Sequence, residues 1–142
     1  SSNEKVLDTI NRKYSRKSHM ENIIKYSENL GIKIGAFYII GNLTDTKESI
    51  IQTIEYAKYL NTTYAQFTMS TPLPGTEFYE DINNRIIENN WENFDLYTPT
   101  FSHPTLSSMG LHSLLKKAFS NYYLRYKWLA KYFKFFFKFY KK

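Results

Sequence analysis

Two strand-like segments separated by one helix constrain this chain more than any other feature. Ile32-Lys-Ile-Gly-Ala-Phe-Tyr-Ile-Ile40 is almost continuously apolar and Gly41 ends it. A strand covered on both faces, as in a parallel sheet, has that composition. Tyr64–Thr71 alternates instead, with Ala65, Phe67 and Met69 on one side and Tyr64, Gln66, Thr68 and Ser70 on the other. Between them, Asp45 and Glu48 make an acidic capping-box variant. Ile50, Ile51, Ile54, Tyr56, Ala57 and Leu60 then supply a helical core face. Strand, helix and strand within about forty residues form a βαβ unit, with parallel strands and a right-handed crossover. The spacing predicts strands at Lys33–Ile40 and Tyr64–Ser70, and a helix at about Thr46–Leu60.

The flanks follow the same logic. Met20, Ile23, Ile24, Tyr26 and Leu30 step mostly at helical spacing, and Gly31 stands where a helix favours a left-handed terminal residue. Thr71-Pro-Leu-Pro-Gly-Thr76 is a rigid loop, because two prolines fix φ and Gly75 permits a tight turn. A short helix is predicted at Glu77–Glu88. An irregular stretch from Asn89 to Pro104 follows, anchored by Trp91, Phe94, Tyr97 and Phe101, and the chain turns helical from Leu106 to its end. The expected division is residues 1–88 as closing βα units and residues 89–142 as an irregular segment with a basic, aromatic helix.

Charge is distributed unevenly. Residues 1–110 are net −3, whereas residues 111–142 carry nine Lys/Arg and no acid, and hold twelve of the 26 aromatics. A near-neutral body with a basic, aromatic tail is the reading. The 142 residues suit one domain, and 42% hydrophobic residues with nine Gly plus Pro exclude a disordered or fibrous chain. No cysteine is present, so the chain itself holds no disulfide, thiolate zinc site, Cys-ligated iron–sulfur cluster or Cys nucleophile. Ser1–Tyr14 has no apolar stretch resembling a signal peptide, and no apolar run reaches the roughly 18 residues of a membrane span. A soluble, cytoplasmic protein is expected, with membrane association through the tail as an alternative.

No self-contained catalytic constellation is visible. His19, His103 and His112 lack ligand spacing and read as surface or capping histidines, so no metal ligand and no catalytic residue is assigned. Two loops stand out, Gly41-Asn-Leu-Thr-Asp-Thr46 and Thr71-Pro-Leu-Pro-Gly-Thr76, at the carboxyl ends of the two strands. Ligands of parallel α/β folds bind at that edge. Gly41 lets backbone approach a ligand, and amides near Asp45 can receive polar groups. Ordinary turn chemistry explains the same residues.

Four stretches in order are Ser1-Ser-Asn-Glu-Lys-Val-Leu7, Ile10-Asn-Arg-Lys-Tyr14, Gly31-Ile-Lys-Ile-Gly-Ala-Phe-Tyr-Ile-Ile-Gly41 and Thr71-Pro-Leu-Pro-Gly-Thr-Glu-Phe-Tyr79. Together with Trp91-Glu-Asn-Phe-Asp95 and the helix after Leu106, they resemble the C-terminal half of a radical S-adenosylmethionine enzyme. Members carrying an N-terminal cobalamin-binding domain are the most similar. The resemblance covers roughly residues 1–130 and implies an α/β fold, the C-terminal portion of a partial (β/α)6 TIM-like barrel followed by a mainly helical extension. It implies that Ile39 and Gly41 pack against the adenine of S-adenosylmethionine, and that Thr71 and Pro72 place backbone beside it. Ser1 matches a serine near the cofactor's sugar and amino-acid portion. Gln66, Thr68 and Ser70, on the polar side of the last strand, are candidates for the substrate pocket.

In such an enzyme a reduced [4Fe-4S] cluster cleaves S-adenosylmethionine to a 5′-deoxyadenosyl radical that abstracts substrate hydrogen. The Cys-x-x-x-Cys-x-x-Cys run that binds the cluster is absent here, as are the first barrel strands and the cobalamin domain. The chain is therefore expected to be a fragment, inactive alone, whose first partner is the missing N-terminal half. A small-molecule or lipid-like substrate is expected. Where the family has Pro-Gly-Glu, this chain has Leu43-Thr44-Asp45, which puts the loop's geometry in question because Thr adopts positive φ less readily than Gly.

The tail supports a competing reading, a non-catalytic binding module. Leu111, Leu114, Leu115, Ala118, Phe119, Tyr122, Tyr126, Leu129, Phe133, Phe136, Phe137 and Tyr140 fall at three- and four-residue steps. Lys127, Lys131, Lys134, Lys138 and Lys141 follow the other side, so the helix is amphipathic with one cationic face. That apolar face covers the body or a missing domain, or residues 111–142 dock on an anionic membrane or a partner protein. No nucleic-acid-binding motif accompanies the basic residues, so no nucleic-acid partner is expected.

Overall fold

The computed structural model describes residues 17–130. Ser1 and the lysines from Lys131 onward lie outside the described residues. The order is α1 (Lys17–Asn29), β1 (Gly35–Ile40), α2 (Lys47–Leu60), β2 (Tyr64–Met69), α3 (Glu77–Asp81), 3-10 turns at Asn83–Arg85 and Trp91–Asn93, and α4 (Ser108–Tyr123). It is a mixed α/β fold around a two-stranded parallel sheet.

The strands pair with Gly35 opposite Tyr64 and Ile40 opposite Met69. Ser70 extends the ladder by donating its amide to the Ile40 carbonyl at 2.8 Å. One face of the sheet is the core. Tyr38, Ile40, Ala65, Phe67 and Met69 meet Ile50, Ile54 and Ala57 of α2 and Leu111, Leu114, Leu115, Ala118 and Tyr122 of α4. Phe67 is the centre: its ring stacks on Tyr38 at 5.2 Å and meets Phe119 and Tyr122 edge-on at 5.5 and 6.1 Å. The other face carries Phe37, Ile39 and Tyr64, which are 75%, 44% and 50% exposed. Among the described residues the expectation of a strand covered on both faces therefore fails for β1, because α2 and α4 both pack on the core side and leave Phe37 and Ile39 exposed.

The two outer edges also differ. Tyr64 donates its amide to Ile34 and Ser70 to Ile40, so even-numbered positions of β1 face β2. The odd amides of Gly35, Phe37 and Ile39 point the other way and meet no partner among the described residues. On the far edge of β2, the Tyr123 hydroxyl bonds both polar groups of Ala65, and Met69 donates to the Leu96 carbonyl at 2.7 Å. Among the described residues the β1 edge is open, whereas the β2 edge is capped at Ala65 and Met69.

Local chemistry explains most boundaries. Gly31, at φ +78°, closes α1: its amide donates to Glu28 and that of Ile32 to Ser27, the pairing of a Schellman motif. α2 begins one residue later than the acidic pair suggests. Thr46 is the N-cap, and Thr46 and Ser49 exchange side-chain-to-amide bonds at 3.2 and 3.0 Å. The helix expected at Glu77–Glu88 ends at Asp81, because Ile86 leaves to bridge Phe101 in antiparallel fashion. Of the expected anchors, Phe101 is buried but Trp91 is 59% exposed, its ring near those of Tyr79 and Phe94.

α4 stops at Leu124 rather than running to the end, and residues 126–130 are helical again. The break lets the Arg125 guanidinium reach the end of α2, donating to the Lys58 carbonyl and, at 2.8 Å, to Asn61 Oδ1 while lying over the Tyr122 ring. Trp128 donates to the Thr63 carbonyl at 3.2 Å. The first part of the tail thus covers the body, as one of the two readings held. Leu124 and Tyr126 remain 75% and 84% exposed. No helix among the described residues is long and apolar enough to cross a membrane.

Candidate functional site

The carboxyl edge of the sheet is built by two loops, each leaving a strand at the same level because Ile40 and Met69 are paired. After β1 the chain turns at once. Gly41 takes φ +77°, and the Asp45 amide donates to the Asn42 carbonyl at 2.8 Å. Neither Leu43 nor Thr44 has positive φ, so Thr44 carries no left-handed strain.

Asp45 holds this turn from inside. It is only 3% exposed, and its carboxylate accepts from the Asn42 amide at 3.0 Å, Asn42 Nδ2 at 3.3 Å and Ser49 Oγ at 2.6 Å. Three donors on one carboxylate compensate much of its desolvation. Its charge is thus used by the loop itself, and the Asp45/Glu48 capping box is replaced by the Thr46/Ser49 pair.

His103 is the residue that pattern reading missed. His19 and His112 are exposed, whereas His103 is 8% exposed, 61 residues away from the turn it touches. Its Nε2 bonds the Asn42 carbonyl at 2.8 Å, and its Nδ1 accepts the amides of Thr105 and Leu106, each at 3.2 Å. Thr105 Oγ1 adds a bond to the Asp45 carbonyl at 3.4 Å. The Phe-Ser-His-Pro run offers no local signal of this, since the partner lies across the fold.

The other expected positions divide. Ile39 is half-exposed on the open face, beside Thr68 in register. Gly41 is buried, and a Cβ there would lie 3.1 Å from Leu111 Cδ2, so its bare side is filled by α4 rather than left to a ligand. Thr71 donates through Oγ1 to the Met69 carbonyl at 3.3 Å, and Pro72 is fully buried. These four therefore gather at the carboxyl edge, where Ile39 presents an apolar side chain to the open face.

The substrate-pocket candidates are less uniform. Gln66, Thr68 and Ser70 do share the open side, but Thr68 is 9% exposed and Gln66 donates to the Tyr97 hydroxyl at 2.9 Å. Gln66 lines a cleft of about 300 Å³ with Phe37, Tyr64 and Tyr97, at the amino ends of the strands rather than the carboxyl edge. No group of three or more His, Cys, Asp or Glu that could hold a metal occurs among the described residues.

No family model matches the chain. It is similar to an uncharacterized methyltransferase of Pyrococcus horikoshii, 32% identical over 133 residues, which is 92% of this chain and 29% of that protein. It is also similar to the bacteriochlorophyllide d C-12(1)-methyltransferase of Chlorobaculum tepidum, 25% identical over 67% of this chain and 21% of the relative. A third relative is the anaerobic magnesium-protoporphyrin IX monomethyl ester cyclase of Rubrivivax gelatinosus, 25% identical over 82% of this chain and 20% of the relative. The chain spans less than a third of each relative's length, and all three are enzymes.

Proposed function

We propose that this chain is the C-terminal part of a radical S-adenosylmethionine enzyme, forming the closing βα units of its partial (β/α)6 barrel. The observation that carries the reading is the sheet itself. It is a parallel pair with its β2 edge capped by Tyr123 and Leu96, its β1 edge open among the described residues, and two constrained loops at its carboxyl end. Earlier barrel strands would pair on the amides of Gly35, Phe37 and Ile39, which meet no partner among the described residues. Methyl transfer is the favoured reaction class, by likeness to the relative matched over 92% of this chain.

The residues fit the adenine end of the cofactor. Ile39 offers an apolar side chain on the open face, the next residue Ile40 accepts the Ser70 amide, and Pro72 beyond it is fully buried. Ile39 would pack on the adenine while Thr71 and Pro72 hold the second wall. This chain has no cysteine, so it supplies no thiolate to a cluster, and cobalamin would likewise be held elsewhere in the longer protein. When bound, S-adenosylmethionine and its cluster supply one-electron chemistry. The residues here shape the pocket and keep the loop after β1 in place.

Two measurements test this. The gene upstream of Ser1 should encode Cys-x-x-x-Cys-x-x-Cys, and its absence would overturn the reading. In the longer protein, Ile39→Ala should weaken S-adenosylmethionine binding about tenfold, the scale of one partly buried apolar side chain. A second reading rests on Leu124 and Tyr126, exposed beside a lysine-rich end: the tail beyond Arg125 docks on an anionic membrane surface.

A further inference from the structure

We infer that His103 is a positioning residue for the loop after β1, pinning it to the start of α4 through both ring nitrogens at once. The inference rests on the reading that this loop borders the cofactor site, but the pinning itself follows from geometry. The Asn42 carbonyl can only accept, so Nε2 carries the proton in the bond between them. The Thr105 and Leu106 amides can only donate, so Nδ1 carries none. The network therefore assigns a single tautomer, Nε2–H.

Two segments more than sixty residues apart in the chain are joined at one planar ring. On the loop side, the ring bonds the same carbonyl that closes the turn with the Asp45 amide. On the helix side, it gathers the two amides just before Ser107, the N-cap whose hydroxyl accepts the Gly110 amide at 3.1 Å. The ring is also packed, lying 6.3 Å from that of Phe101. A rigid ring with two opposed, different bonds fixes distance and orientation together. No flexible side chain of that length does so without losing rotamer freedom.

The two bonds can be separated by substitution. An Asn side chain places its oxygen near the position of Nδ1, whereas a Gln side chain places its amide nitrogen near that of Nε2. In the 142-residue chain, His103→Asn should speed hydrogen exchange of the Asp45 amide roughly tenfold while leaving Thr105 and Leu106 protected. His103→Gln should do the reverse, and core amides such as Met69 should be unaffected in both. Equal acceleration at all these sites would mean general loosening and would overturn the inference.

The unmodified chain gives an independent check that needs no variant. Imidazole nitrogen shifts should report Nε2–H with an unprotonated Nδ1, and the opposite tautomer would overturn the pinning. In the longer protein, His103→Asn should weaken S-adenosylmethionine binding about tenfold and His103→Gln should retain most of it. Separated exchange with unchanged cofactor affinity would keep the pin and overturn the placement of the cofactor beside this loop. Unseparated exchange would overturn the pin, whatever the cofactor does.

Discussion

The Tyr123 hydroxyl donates to the carbonyl of Ala65 at 2.7 Å and accepts its amide at 3.1 Å, so one side chain occupies both bonding groups of that residue on the outer edge of β2. Exposed strand edges invite pairing with other chains, and a phenol placed there blocks it without adding a strand. Tyr123→Phe keeps the ring packing on Trp128 and Phe119 but leaves both Ala65 groups unsatisfied. Denaturant melts should show a loss of about 1–3 kcal/mol. Size-exclusion chromatography should show more self-association, and an unchanged melt would mean that water serves Ala65 equally well.

Gly41 is needed for two reasons that act together. Its φ of +77° is unfavourable for any residue with a Cβ, and that Cβ would press on Leu111, which is itself buried. Gly41→Ala should therefore cost about 2 kcal/mol or more, combining left-handed strain with local overpacking. Pairing it with Leu111→Ala should recover only the contact part, measured as non-additivity in a double-mutant cycle.

Tyr38 has a buried hydroxyl with no hydrogen-bond partner among the described residues. Burial, with smaller effects from the neighbouring Tyr122 and Tyr56 phenols, holds it protonated well above the ordinary value of 10.0. Burial and the Glu21 carboxylate likewise push Tyr56 up to about 12. The unfolded phenols ionise first, so the stability these groups confer is complete below pH 10 and is lost as pH rises beyond it. Tyr38→Phe should gain about 1 kcal/mol near neutral pH and soften the alkaline loss. Melts at rising pH, with tyrosinate absorbance followed in parallel, would show it; equal alkaline loss in both proteins would exclude Tyr38 as a source.

Beyond the Arg125 anchor the charge is all of one sign, with five lysines from Lys131 to Lys142. Lysines near an anionic bilayer add about 1 kcal/mol each. The 142-residue chain should therefore bind anionic vesicles at low salt and release them at ~1 M, where the Debye length is about 3 Å. Truncation after Ala130 should abolish the binding. Equal binding to neutral vesicles would leave the lysines as a solvated surface.

What could be read from the chain were the parts decided within a few residues. Gly31 closing α1, the apolar spacing of α2 and the alternation of β2 each carry their own instruction, and the parallel pair follows from them. The start of α2 was legible only to within one position. Asp45 and Thr46 are both competent caps, and the choice fell to Thr46 because Asp45 is drawn inward by Asn42 and Ser49. Leu96, at φ +69°, carries no local sign of a left-handed turn, and its carbonyl is held by Met69 across the fold. His103 was illegible for the same reason, since Asn42 is its partner only after the sheet and α4 have met. The β1 run looked doubly covered because an almost continuous apolar segment carries no sign of which face stays exposed, and Phe37 and Ile39 are on that face.

The contribution of α4 to the core has a consequence in time. Tyr122 and Tyr123 bond Thr62 and Ala65, nearly sixty residues earlier, and α4 covers β2 on its apolar side. When Met69 has just been synthesised, Phe67 can meet Tyr38 but neither Phe119 nor Tyr122, the rings that close over it edge-on. About fifty residues must still be added before Tyr122 exists. At roughly 5–20 residues per second this is an interval of roughly 3–10 seconds on the ribosome. For that time the nascent βαβ segment is a natural client for chaperones, and slow codons between Met69 and Tyr122 would lengthen its exposure.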